Sequence, residues 1–196
     1  MRNTLSRRLR AVAAGVAVVG LAAASAVLSA TPAGATSASA AITAGSLAFV
    51  STPGSVAFSA TLNGTDQTST ATATFDVGDA TGSGAGWNIT ATSTTFSSGS
   101  GGNTKLLSTS ATTVQTAPTV ACDTNVTCTP ATNAISFPFV LPAGGNAPTA
   151  QKLYNAAVSS GMGNQTVSAS FRLTIPGNTY AGTYASTWTY SLVSAP

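Results

Sequence analysis

Val167-Ser168-Ala169-Ser170-Phe171-Arg172-Leu173-Thr174-Ile175 alternates apolar and polar side chains without a break. Successive side chains of an extended chain point to opposite faces. The pattern therefore buries Val167, Ala169, Phe171, Leu173 and Ile175 on one side and wets Ser168, Ser170, Arg172 and Thr174 on the other. The same period recurs upstream, where Ala71, Ala73, Phe75 and Val77 alternate with Thr70, Thr72, Thr74 and Asp76. It recurs downstream through Tyr184, Ser186, Trp188, Tyr190 and Leu192.

Further strands are predicted at Ser46 to Val50, Ser55 to Thr61, Gly86 to Ser93, Thr104 to Thr112 and Ala134 to Val140. Gln151 to Val158 reads either as a strand or as a helix of two turns. Turn formers separate these runs, among them Thr52-Pro53-Gly54, Asn63-Gly64, Gly82 to Gly86, Pro142 to Asn146 and Pro176-Gly177-Asn178. Asn63-Gly64 suits a hairpin corner because both residues tolerate positive φ. About eight or nine short strands with no long amphipathic helix predict an all-β domain. The expected architecture is an antiparallel β-sandwich, Ig-like or a related Greek-key or barrel-like form. Threonine and serine dominate the polar faces, where β-branching favours the strand and the hydroxyl meets water.

The chain begins with Arg2, Arg7, Arg8 and Arg10, continues through an Ala/Val/Gly/Leu run from Ala11 to Leu28, and then turns to small residues. That is the layout of a secretory signal peptide, with cleavage expected after Ala35 or after Ala40. Residues 1–40 are thus assigned to the signal and 41–196 to a single β domain. The run is mostly Ala and Gly, whereas a lasting membrane helix wants about 20 strongly apolar residues, so no stable membrane insertion is expected after cleavage.

The formal charge of +3 rests on those four arginines. Beyond them stand Lys105, Lys152 and Arg172 against Asp66, Asp76, Asp79 and Asp123, three against four, or −1. No basic patch is left to neutralise phosphates, which argues against a nucleic-acid partner.

The chain contains no histidine and no glutamate. Ser-His-Asp and Cys-His relays are therefore excluded, and no cofactor is implied. Asp76 and Asp79 are the closest carboxylates; they read as turn-capping residues first, as a weak calcium pair second and as a catalytic pair last. Lys105 and Lys152 sit in no nucleophile motif. Cys122 and Cys128 are the only cysteines, and in an oxidising compartment a pair this close is expected to form a local disulfide. Four Asn-x-Ser/Thr triplets, at Asn63, Asn88, Asn125 and Asn164, are read as chance products of a Thr-rich chain. Leu141-Pro142-Ala143-Gly144-Gly145 approximates a Leu-Pro-x-Thr-Gly sorting signal but lacks its Thr, so covalent sorting is not expected.

Two aromatic motifs remain. In the first, the Gly-rich stretch Gly82 to Gly86 delivers Trp87-Asn88-Ile89 onto a strand. In the second, Tyr184, Trp188, Thr189, Tyr190, Leu192 and Pro196 are spaced along the last strand. Large rings can serve the core or form a platform at one end of the sandwich, and one residue can do both.

With these two motifs the chain resembles the WxL-domain family of Gram-positive bacterial surface proteins. That family carries Trp-x-Leu after a Gly-rich turn and a C-terminal Tyr-x-x-x-aliphatic-Thr-Trp-x-Leu-x-x-x-Pro. Tyr184, Thr189, Leu192 and Pro196 match at the right spacing. Ile89 stands where Leu is usual, Trp188 takes the aliphatic position, and Tyr190 takes the Trp position. The resemblance implies a secreted, β-rich protein attached non-covalently to the cell wall, commonly to peptidoglycan, with Trp87, Ile89, Tyr184, Trp188, Tyr190 and Leu192 as candidate wall-binding or core residues. The Ala-rich leader and heavy Thr/Ala/Gly use suit an actinobacterium.

Two functional classes follow. One is a wall-binding module that stacks sugars on a surface near Trp87 and Trp188. The other is a structural or adhesive subunit that assembles with copies of itself or with other surface proteins by strand-edge pairing.

Overall fold

The computed structural model describes residues 37–99 and 103–196. Most of the proposed signal, residues 1–36, lies outside them. Two alternating runs singled out in the sequence form the longest strands. β2 (Gln67–Asp79) and β11 (Gly163–Ile175) pair antiparallel along their whole length, from Gly163 opposite Asp79 to Ile175 opposite Gln67. On one side β1 (Leu47–Phe49) joins β2. On the other side β11 pairs with β6 (Thr112–Val114) and β7 (Thr119–Cys122), and β6 pairs with β8 (Phe139–Val140).

The second sheet has β3 (Trp87–Thr94) between β10 (Gln151–Ala156) and β12 (Trp188–Ser194), both antiparallel to it. One parallel contact joins β3 to β9 (Ala143–Gly144). β4 (Ser97–Ser98) and β5 (Lys105–Leu106) make a small separate hairpin.

The two large sheets face each other as a β-sandwich. Ala73, Phe75 and Val77 from β2 and Val167, Ala169 and Phe171 from β11 meet Trp87, Ile89 and Ala91 from β3 and Leu153 from β10, all buried. Aromatic rings bridge the layers, with Phe75 against Tyr190 at 4.7 Å and Phe171 against Trp188 at 4.8 Å between centroids, both edge-on. Such pairs add to the stabilisation from buried area.

The description contains twelve strands, more than the eight or nine expected, because several are two to four residues long. Gln151–Ala156 is a strand and not a helix. Thr104 to Thr112 is split: after β5 the chain turns at Ser108, whose Oγ accepts from the Ser110 amide, before β6 begins. Of Ala134 to Val140 only Phe139–Val140 pairs. Pro138 has no amide to give, and Asn133 and Asn155 accept from the Ile135 and Ala134 amides in place of a sheet partner. The last strand starts at Trp188, so Tyr184 precedes it.

The most consequential departure is Ser55 to Thr61, which forms no strand. The β1 register continues as far as the Val50 amide, which donates to Asp76 O at 2.8 Å. The chain returns to β2 at the Ser59 amide, bonded to Ser69 Oγ at 3.2 Å. Between these two ties the backbone of Ser51–Phe58 makes no hydrogen bond among the described residues. Proline removes a donor and glycine weakens a strand, and Pro53-Gly54 sits where the chain bows away. The alternation survives, with Val56 and Phe58 half-buried and Ser55, Ala57 and Ser59 exposed, but the ladder does not form.

Candidate functional site

The bowed segment, a strap over residues 51–58, spans the flank between the two sheets. One sheet ends there at β1 and β2, and the other ends at β12. The register of β12 shows which of its groups face this flank. Thr94 N donates to Thr187 O, and Ala195 N donates to Gly86 O, so odd-numbered residues of this strand bond toward β3. Bonding alternates along an antiparallel pair, so the amides and carbonyls of Trp188, Tyr190 and Leu192 point outward, with no strand beyond them among the described residues.

Between β12 and the strap lies an open groove of about 640 Å3, walled by Phe49 and Thr52–Val56 on one side and by Tyr184–Ser186 and Trp188–Tyr190 on the other. Its floor reaches Phe96. A second hollow of about 560 Å3 continues beneath the strap, sharing Val56, Phe96 and Tyr184, and is lined by Phe58, Leu173, Ile175 and Tyr180. No charged side chain lines either hollow. Lys105 stands close by, its Nζ 4.5 Å from the centroid of the Tyr180 ring.

The rings are packed among themselves. Trp188 is half-buried against Phe171, Phe58 at 6.2 Å and Phe96 at 6.3 Å. The Tyr190 hydroxyl is buried without a hydrogen-bond partner, and burial pushes its pKa well above the usual tyrosine range. Tyr184 donates to Tyr180 O at 3.0 Å, and Leu192 packs on the main core.

The first aromatic motif lies elsewhere. Trp87 and Ile89 are each 0% exposed. The Trp87 Nε1 donates to Gly161 O at 2.9 Å, and Gly161, at φ +80°, brings its Cα so close that an added Cβ would sit 2.6 Å from that nitrogen. Of the two readings open for Trp87, core or platform, its side chain takes the core one, with no ring face exposed. Its neighbour Asn88 ties down the chain end through Nδ2 to Ala195 O at 2.6 Å.

Cys122 and Cys128 are disulfide-bonded, with Cα atoms 5.6 Å apart. Asp76 and Asp79 are not brought together, since residues three apart on a strand face opposite ways. Asp79 is buried and accepts from Thr81 N at 3.0 Å and Thr81 Oγ1 at 2.6 Å, an Asx turn closing β2. Asp76 lies on the outer face, where desolvation first, then the Asp123 carboxylate, raises its pKa. Among the described residues no three His, Cys, Asp or Glu gather to hold a metal. Lys152 Nζ donates to Pro196 O at 2.7 Å. No helix of the described residues is long and apolar enough to cross a membrane.

The strap and the outward amides of β12 were not legible in sequence. The only local signal was Pro53-Gly54 at the head of a predicted strand.

Fold and flank together define a β-sandwich left open along one side, with a groove walled by aromatic rings and backbone. The wider comparison is in keeping with that class: a family profile described as WxL domain, surface cell wall-binding, matches residues 35–196, and the chain belongs to that family. Surface cell-wall binding is accordingly its class of function. No curated protein and no solved structure matches the chain.

Proposed function

We propose that this protein is a secreted, non-catalytic module that holds peptidoglycan non-covalently in the groove between the strap and β12. The observation that carries the reading is the groove itself: about 640 Å3, open, uncharged and lined by Trp188, Tyr190 and Tyr184, within the usual size range of ligand sites. Four residues of the family's C-terminal motif, Tyr184, Trp188, Thr189 and Tyr190, thus line one concave surface. The non-catalytic reading is supported by the absence of histidine and glutamate and by the turn-closing engagement of Asp79, on the opposite face of β2 from Asp76. Residues 1–40 serve as the export signal in this reading.

Gly54 supplies the test, because a Cβ there meets nothing within 4 Å and the residue lines the groove. Gly54→Trp adds a ring at the groove wall where no atom of the protein stands in its way. The purified secreted protein is expected to co-sediment saturably with peptidoglycan stripped of accessory polymers, and Gly54→Trp, at an unchanged melting temperature, to remain in the supernatant. Equal sedimentation of the two proteins would remove the groove from the mechanism, and no sedimentation of the parent would remove peptidoglycan.

A further inference from the structure

We infer that the hollow beneath the strap is a second binding site, for a free single-chain fatty acid whose tail lies in the hollow and whose carboxylate meets Lys105. It shares only Val56, Phe96 and Tyr184 with the groove proposed for peptidoglycan. Leu107, Ala111 and Leu173 form a small buried cluster apart from the main core, with Phe58, Phe96, Ile175 and Tyr184 packed against it. All of these except Ala111 also line the open hollow of about 560 Å3. Protein interiors are close-packed, so the apolar surface around this space lacks the partner atoms that a filled core supplies.

The chemistry of the lining selects the guest. Apart from two tyrosines, its polar side chains are the hydroxyls of Ser59, Thr179 and Thr183, with no amide and no charge among them. A polar group enclosed without a partner is costly, so the part of the guest inside is hydrocarbon. The volume lies within the usual range of small-molecule sites. At the rim the character changes. Lys105 Nζ stands 4.5 Å from the centroid of the Tyr180 ring, which lines the hollow and is 64% exposed. An anionic head group there gains the ammonium and keeps its water. Beyond Arg10 the chain has three basic residues in all, Lys105, Lys152 and Arg172. Attachment to an anionic bilayer takes a cluster of about four to eight, so the fitting source is a free acid and not a membrane surface. The wall can yield to admit it, because residues 56–62 are held by one hydrogen bond among the described residues, Ser59 N to Ser69 Oγ.

Tryptophan fluorescence of the purified secreted protein supplies the test, since Trp188 packs on Phe58 and Phe96, two rings of the lining. The probes are octanoate, decanoate and dodecanoate at neutral pH, each below its micelle-forming concentration, and octanol as the uncharged counterpart. Each added methylene is expected to tighten binding about fourfold. Lys105→Gln is expected to weaken octanoate binding about two- to fivefold and to leave octanol binding unchanged. Ala60 and Ala181 are exposed residues of the lining, so Ala60→Phe and Ala181→Phe each add a ring to it. Whichever of these melts like the parent is expected to bind dodecanoate at least about tenfold more weakly.

An affinity that does not rise with chain length would overturn the placing of the tail, and undiminished octanoate binding by Lys105→Gln would overturn that of the head; either result removes the site as inferred. Failure of the acids to bind, or attachment to phosphatidylglycerol vesicles without binding of free acid, would remove it as well. Wall sedimentation enters none of these outcomes, so the two sites stand or fall separately.

Discussion

Trp87 places the largest side chain of the chain where its area is fully buried and its single polar atom is bonded to Gly161 O. Truncation to alanine removes both, and large aromatic-to-alanine changes in cores cost about 3–5 kcal/mol. Urea melts of Trp87→Ala are expected to show a loss of that size. Tyr190 behaves oppositely at its hydroxyl, which is buried and unpartnered. Tyr190→Phe deletes a desolvated group and keeps the ring against Phe75, so it is expected to be neutral or stabilising by up to about 1 kcal/mol in the same measurement. Asp76 has a pH signature. Its pKa is raised in the folded chain above the ordinary aspartate value of 3.8, by desolvation and then by Asp123, so the folded state binds the proton more tightly. Its contribution favours folding at low pH and is lost as pH rises from 3.8 through the elevated value. Asp76→Asn is therefore expected to melt higher than the parent at neutral pH, the gap closing in acid. Trp87 as a core residue was one of two readings open in the sequence; the choice needed Gly161, 74 positions away.

At the scale of elements, the strap and the β2–β11 pair are opposites. The pair is continuous over thirteen residues, whereas the strap is tied at Val50 and Ser59 and free between. Hydrogen exchange follows local opening, so the Ser51–Phe58 amides are expected to exchange fastest and those in the centre of β11 slowest. The Cys122–Cys128 bridge closes a loop with a sequence separation of six at the end of β7. For a loop this short the chain-entropy estimate is about 2 kcal/mol. The double Cys→Ser variant is expected to stay folded and to melt modestly lower, with its losses in exchange protection confined to β7. The bridge and the long strands were legible because spacing and period are local properties. Ser55 to Thr61 carries a strand's pattern yet stays unpaired, because the neighbour it needs is set by where β2 runs and by the bow at Pro53-Gly54.

At the scale of the whole molecule, the proposed binding in this groove would depend on no charge. No ionisable side chain other than tyrosine lines it, and screening acts on charges. Wall sedimentation is expected to be nearly unchanged from low salt to about 1 M, whereas an electrostatic attachment would be lost over that range. The amino-acid sequence by itself determined the all-β class, the identities of the long strands, the cysteine pair, the absence of histidine and glutamate, and the paired aromatic motifs. Each of these is carried by composition or by short-range spacing. Only the tertiary structure decided that the two motifs part company, Trp87 entering the core while Trp188 and Tyr190 line an open flank. It also decided that one edge of the sandwich is left unzipped. Burial and edge pairing are set by segments distant in sequence, and a period of two specifies that a face is covered without specifying what covers it.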